Sequence, residues 1–233
     1  MTRNSGLNIR NLSYRYAKTT PLALSEVSFD VERGQFCALL GANGAGKSTL
    51  FNLITRLFTT AHGSIQVAGH DIRQHPRRAL AQMGVVFQQQ TLDLDLSLRR
   101  NLSYFAALHG LSGRDANMRI DAALDRFNLL DRADHPTRAL SGGYRRRVEI
   151  ARSTLHNPAV LLLDEPTVGL DPQTRAALTD DVHAMCADDG LTVLWATHLL
   201  DEVRPTDRLI MLEKGRITHN GIGLPAPQTQ ASP

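Results

Sequence analysis

Between residues 7 and 40 apolar and polar positions alternate in short runs. LNIRNLSYRY and VSFDVERGQFCALL carry the two-residue period of half-buried strands, with Glu32-Arg33-Gly34 as a turn between the last two. The period then changes. Leu50, Leu53, Ile54 and Leu57 recur at helical spacing, which predicts a helix from Lys47 or Ser48 to about Phe58. SIQVAGHDI and MGVVFQQQ return to strand character. From about Leu92 to Asn157 the pattern is helical, with Leu124, Phe127 and Leu130 recurring along one stretch. AVLLLDE, residues 159–165, is a continuous apolar run ending in acids, the pattern of a strand buried on both faces of a parallel sheet. A helix over 172–189, the strand TVLWATH, a short helix and the segment RLIMLEKGRI complete the series. Strands alternating with helices around a parallel core predict an α/β fold with a helical insert.

Composition narrows the class. The chain has 233 residues, 42% apolar and 21% charged, enough for one large globular domain with a substantial core. No apolar run approaches the roughly 18–20 residues of a membrane-spanning helix. The opening MTRNSGLNIR has no apolar stretch behind its charge, so no cleaved export signal is expected, and a membrane link would come through a partner. The net charge of +3 is a weak pointer to anionic partners. The arginine runs 77–78, 99–100 and 145–147 read as solvated helix faces, and no nucleic-acid partner is expected. Cys37 and Cys186 stand apart, without a CxxC or a histidine cluster, and read as two unpaired small apolar residues. The proline-rich and polar end, residues 222–233, predicts a disordered tail after one domain over 1–221.

The chemistry begins at Gly41. Residues 41–48 read GANGAGKS, a full match to GxxxxGK[ST], with an apolar strand before it and an amphipathic helix after it. Gly41, Gly44 and Gly46 free the backbone to turn its N–H groups toward a phosphate, and the helix behind aims its positive end at the same anion. Lys47 supplies a point charge, and the Ser48 hydroxyl can hold Mg²⁺. A nucleoside triphosphate is the expected ligand. Asp164 and Glu165 close the buried strand at its carboxyl end, where parallel sheets place their ligands. The aspartate can serve Mg²⁺, and the glutamate can deprotonate an attacking water. Kinases, GTPases, helicases and transport ATPases share such a loop, so these residues do not choose among them.

The choice rests on LSGGYRRRVEIAR, residues 140–152. Ser141 is a good helix cap, and Gly142-Gly143 leave the helix start open to an anion. Val148, Ala151 and Leu155 mark a buried stripe, and Pro158 follows the helix end. Taken in order, GANGAGKST, FQQ, LSGGYRRR, LLLDEPTVGLD and ATH resemble the motifs of the ATP-binding cassette ATPases over nearly all of residues 7–220.

The resemblance implies a phosphate-loop core with a mostly parallel sheet, an N-terminal antiparallel β subdomain and a helical signature subdomain at about 90–157. It implies ATP as substrate, contacted by Tyr16 on adenine (Tyr14 being the weaker candidate) and by Gly41, Ala42, Asn43, Gly44, Ala45, Gly46, Lys47, Ser48 and Thr49. Gln88 would contact Mg²⁺ together with Ser48 and Asp164, and catalysis would fall to Glu165, His198, Lys47 and Gln88. Two cassettes would pack head to tail, with Ser141, Gly142, Gly143, Tyr144 and Asp171 completing the partner's site. Tyr144 departs from the family's usual glutamine, and Gln90-Thr91 from the proline often found there. Both Glu165 and His198 are present, which implies a hydrolytic site.

The segment after Gln88 resembles exporters with type-2 membrane subunits, which handle drugs, polysaccharides or cytochrome-assembly substrates. Leu94, Leu96, Tyr104 and Phe105 would then receive a separate permease subunit, holding the cassette on the inner, cytoplasmic face of the cell membrane. The alternative is a soluble cassette ATPase serving assembly, for example of iron–sulfur clusters.

Overall fold

The computed structural model describes residues 5–225. Its central sheet has six strands in the order β10-β9-β3-β8-β7-β6. β3 (Phe36–Leu40), β6 (Met83–Val86), β7 (Val160–Asp164), β8 (Thr192–Thr197) and β9 (Arg208–Glu213) run parallel. β10 (Arg216–Ile222) lies antiparallel at the edge. The strands read as unbroken apolar runs because both faces are covered. Phe36, Ala38, Leu161, Leu163, Val193 and Trp195 enter a core shared with the helical insert. Cys37, Leu39, Leu162, Leu194 and Ala196 enter the opposite core. Each fully buried aliphatic side chain contributes about 1.5–3 kcal/mol to folding.

The second core joins that face to a four-stranded antiparallel sheet in the order β2-β1-β4-β5. β1 (Ser5–Tyr14) and β2 (Leu24–Glu32) supply Leu7, Ile9, Phe29 and Val31, and β4 (Ser64–Val67) supplies Ile65 and Val67. β5 spans only His70–Asp71. Helix α1 (Lys47–Ile54) lies between the sheets and buries Leu50, Phe51 and Ile54. A short α2 (Pro76–Ala81) follows, and the insert comprises α3 (Leu98–Leu108), α4 (Gly113–Arg126) and α5 (Gly142–Thr154). Finally α6 (Pro172–Asp189) returns along the core.

Several expectations need correction. Helix α1 stops four residues early because Arg56 adopts φ 61°, a left-handed backbone that ends a helix. Leu57 is consequently exposed, outside the buried stripe. SIQVAGHDI is a hairpin of β4 and β5, its turn formed by Ala68 (φ 47°) and Gly69 (φ 81°). RLIMLEKGRI likewise splits into β9 and β10 around Lys214 (φ 46°) and Gly215 (φ 76°). Leu130 is exposed and Leu129 buried instead, since α4 ends at Arg126 and Asn128 (φ 54°) resets the period. β10 runs through Ile222, one residue beyond the expected domain boundary at 221, and Gly223 N donates to Asp207 O at 2.9 Å. The rest of the expected tail, 226–233, lies outside the described residues. Cys37 and Cys186 are both buried and free, as expected.

Candidate active site

The loop between β3 and α1 lines a cavity of about 470 Å³. Gly44 (φ 80°) and Gly46 (φ 113°) take backbone conformations that disfavour side chains. A Cβ on Gly44 would meet nothing within 4 Å, whereas one on Gly41 would stand 2.6 Å from Leu212 O. Gly41 is therefore small because β9 passes behind it, not because a phosphate lies before it. Lys47 is buried, and its Nζ donates to Gly41 O at 2.6 Å and pairs with Glu165 Oε1 at 3.1 Å. Ser48, Thr49, Asn43, Ala42 and Gln88 border the same cavity. Ala45 is buried and braces the loop through Gly215 N, which donates to Ala45 O at 2.9 Å.

Tyr16 stands at the rim, 60% exposed, its hydroxyl 2.8 Å from Thr49 Oγ1. Tyr14 and Phe58 hold it edge-on, at centroid distances of 5.3 and 5.7 Å. Tyr14 itself stacks on Phe58 and packs against the core. Of the two tyrosines, only Tyr16 borders the cavity.

The acidic end comes from β7. Asp164 is buried, and its Oδ1 has no hydrogen-bond partner. Burial and the adjacent Glu165 carboxylate push its pKa up, while Ser48, Lys47 and Arg146 pull it down. An unpartnered buried carboxylate oxygen beside a serine hydroxyl fits a hard cation such as Mg²⁺, which shares its oxygens with phosphates and water. No group of three or more His, Cys, Asp or Glu able to hold a metal occurs among the described residues.

Glu165 sits at φ 47° and is anchored by Glu165 N donating to Ala196 O at 3.0 Å. His198 follows β8, and its Nδ1 lies 3.5 Å from Glu165 Oε1. Lys47, Glu165 and His198, far apart in sequence, thus meet at one carboxylate oxygen.

The turn 140–143 stands apart from this cavity. Ser141 occupies the N-cap position of α5 (φ −66°, ψ 165°), but its side chain accepts no capping hydrogen bond, contrary to expectation. Gly142 is open, with only Leu170 Cδ2 at 3.6 Å from a would-be Cβ. Gly143 is required for another reason: a Cβ there would lie 2.4 Å from Thr174 Cγ2, at the start of α6. Asp171 caps α6, accepting from Thr174 N at 2.9 Å and Thr174 Oγ1 at 2.6 Å, and those bonds hold its carboxyl below the usual range. Tyr144 packs against the core, with the Arg132 and Arg147 guanidinium groups 4.7 and 5.8 Å from its ring centroid.

The arginine run is not a solvated face. Arg145 Nε donates to Leu140 O, Arg147 Nε bonds Asp181, and Arg146 is buried beside Glu149, contacting Phe87 O and Gln88 O. Glu202 lies outside every sequence motif. This buried carboxylate accepts from Trp195 Nε1 at 2.9 Å and from Thr167 Oγ1, tying the loop after His198 to the one after Glu165. Its only sequence signal is an acid four residues beyond a strand-end histidine. Leu94 and Tyr104 are exposed, and Leu96, Tyr104 and Phe105 line a separate cleft of about 670 Å³.

Known proteins resemble this chain in sequence and in fold. The sequence model of the family described as ABC transporter matches residues 24–168. Nod factor export ATP-binding protein I of Ralstonia nicotianae is 39% identical over 211 residues, 90% of this chain and 65% of that protein. Daunorubicin resistance ATP-binding protein DrrA3 of Streptomyces coeruleorubidus is 40% identical over 200 residues, 85% and 63% of the two chains. The chain therefore spans just under two thirds of the length of these relatives. Among solved structures, CbiO1 of Clostridium perfringens, part of the ABC transporter complex CbiONQ, aligns with a TM-score of 0.86. It is 32% identical and covers 94% of this chain and 89% of its own. A dimeric ATP-binding cassette in a post-hydrolysis state, bound to ADP and phosphate, aligns at 0.80 with 27% identity, covering 94% and 99%. With its phosphate loop, acidic strand and glycine turn joined in this fold, the chain belongs to the ABC transporter family.

Proposed function

We propose that this chain is the ATP-hydrolysing cassette of an exporter, working as a dimer on separate membrane subunits. The observation that carries the reading is the meeting of Lys47 and His198 at Glu165 Oε1, on the wall of the phosphate-loop cavity. Tyr16 stacks on adenine, while the amides of residues 43–48 and Lys47 hold the phosphates. Ser48, Asp164 and Gln88 would hold Mg²⁺, which would supply positive charge to offset that of the phosphates. Glu165 accepts a proton from water as the water oxygen bonds to the γ-phosphorus. The bond from that phosphorus to the β–γ bridging oxygen breaks, and ADP leaves with the electron pair. His198 orients the γ-phosphate and Glu165. Ser141, Gly142, Gly143, Tyr144 and Asp171 of a second copy complete the site. Gly142 is open to such an approach, and the relative solved with ADP and phosphate is itself dimeric.

Export is supported by the names of the Nod-factor and daunorubicin relatives. The cleft of Leu96, Tyr104 and Phe105, with Leu94 beside it, receives the membrane subunit. No helix among the described residues is long and apolar enough to cross a membrane. In this reading the membrane subunit holds the cassette on the inner face.

Glu165→Gln tests the chemistry: hydrolysis is lost, ATP binding is retained, and a trapped dimer elutes on size exclusion. A variant that turned over ATP at the wild-type rate would rule out Glu165 as the base. Co-purification with a membrane protein tests the transport role, and isolation solely as a soluble complex would favour assembly instead.

A further inference from the structure

Arg146 and Glu149 form an ion pair exposed to only 5% and 1%. Removing two charges from water is costly unless their remaining hydrogen-bonding capacity is met. Their partners come from the segment 87–91. Arg146 Nη1 donates to Glu149 Oε2 at 2.7 Å and to Phe87 O at 2.8 Å, and Nη2 donates to Gln88 O at 3.0 Å. Glu149 Oε1 accepts from Thr91 N at 2.7 Å and from Thr91 Oγ1 at 3.3 Å. One turn further along α5, Arg152 Nη1 donates to Thr91 O at 3.0 Å. Residues spaced by three share one helix face, so a single face of α5 grips this segment at both ends.

We propose that Arg146 and Glu149 are positioning residues for Gln88. By fixing the main chain before and after it, α5 sets where the Gln88 side chain stands in the nucleotide cavity. An apolar pair of similar volume would pack α5 as well, but would leave the Phe87 and Gln88 carbonyls and the Thr91 amide without these partners. The clamp also spans two cavities. Phe87, Thr91 and Arg152 line the cleft beside α3, while Gln88 lines the phosphate-loop cavity. The helix that begins with the glycine turn therefore holds a strap reaching from one to the other. The inference rests on the proposed role of Gln88 at the nucleotide.

The test compares Arg146→Met and Arg146→Lys with wild type by amide hydrogen exchange and steady-state ATPase kinetics. Exchange over 87–92 rises in Arg146→Met, while β3 and β7 keep their protection. Its kcat falls about tenfold or more with KM for ATP within about twofold, because Tyr16 and the phosphate loop, which supply most of the contacts to ATP, are untouched. In a Gln88→Ala background the same change produces no further loss. Arg146→Lys keeps the charge beside Glu149, so it folds even if Arg146→Met does not. One ammonium cannot serve two carbonyls and a carboxylate in the fork geometry, so it gives the same effects in weaker form. Unchanged exchange over 87–92, or full additivity with Gln88→Ala, overturns the proposal. A wild-type chain without ATPase activity would sink the proposed function, while the exchange data would still decide the clamp.

Discussion

Trp195 is the single tryptophan of the chain, and its indole N–H ends on the buried Glu202 carboxylate at 2.9 Å. Glu202→Ala removes that acceptor together with the one used by Thr167 Oγ1. A buried donor stripped of its partner costs about 1–3 kcal/mol, so the two sum to about 2–6 kcal/mol. Losing a buried carboxylate and its desolvation offsets part of this, leaving an expected loss of about 2–4 kcal/mol. Glu202→Gln keeps the volume and one acceptor for the indole. Its amide nitrogen then faces the Thr167 hydroxyl, which must turn to accept, and the expected loss is about 1 kcal/mol. Urea unfolding followed by tryptophan emission measures both, since the fluorophore is itself the donor. Hydrolysis should fall further than ATP binding in Glu202→Ala, because the loop it ties down carries His198. A Glu202→Ala midpoint within error of wild type would refute the reasoning. So would a Gln variant as damaged as the Ala variant, which would make charge, not the acceptor, the operative property.

Other changes probe separate features. Ser141→Arg should block hydrolysis while leaving ATP affinity of the monomer nearly intact; loss of monomer binding would show that the turn acts on its own chain's nucleotide. Tyr144→Gln gives up the contacts with Arg132 and Arg147, worth about 0.5–1 kcal/mol of stability. Its hydrolysis rate should stay within a few-fold of wild type, a barrier change of about 1 kcal/mol or less. His156 has Nε2 on Met83 O at 3.0 Å and stacks on His109, and burial followed by the His109 charge lowers its pKa from 6.5 to about 4. Folding thus favours the neutral ring, so this contribution is full above pH 6.5 and declines as pH falls toward 4. His156→Phe should flatten that acid decline in a melting-temperature profile; parallel profiles would exclude His156 as its source.

Legibility in the sequence followed local physics. The helix around 172–189 was legible, and its ends are marked by local chemistry: Asp171 caps it, Pro172 opens it and Gly190 closes it at φ 65°. The end of α1 was hidden because an arginine, not a glycine, takes the left-handed conformation there. The run 145–147 misled for a geometric reason. Successive helix residues point about 100° apart, so three adjacent arginines cannot share one solvated face. Arg146 is the one turned inward, toward carbonyls that no local pattern announces. Glu202 carries no motif signal either, because its partners are Thr167, beyond the end of β7, and Trp195, inside β8. Lys47, Ser48, Asp164, Glu165 and His198 were readable as motifs, but only the fold shows Lys47 and His198 sharing one oxygen of Glu165.

The backbone at Glu165 holds strain at the proposed base. At φ 47° a glutamate holds a conformation that glycine or asparagine adopts with less strain, a difference of about 1 kcal/mol. Gly or Asn at this position would relieve that strain, but would discard the proposed base and leave the buried Lys47 ammonium without its carboxylate partner, a larger loss. Gln shares the strain of Glu and, like Asn, gives Lys47 no charged partner, so Glu165→Asn should melt above Glu165→Gln while both melt below wild type.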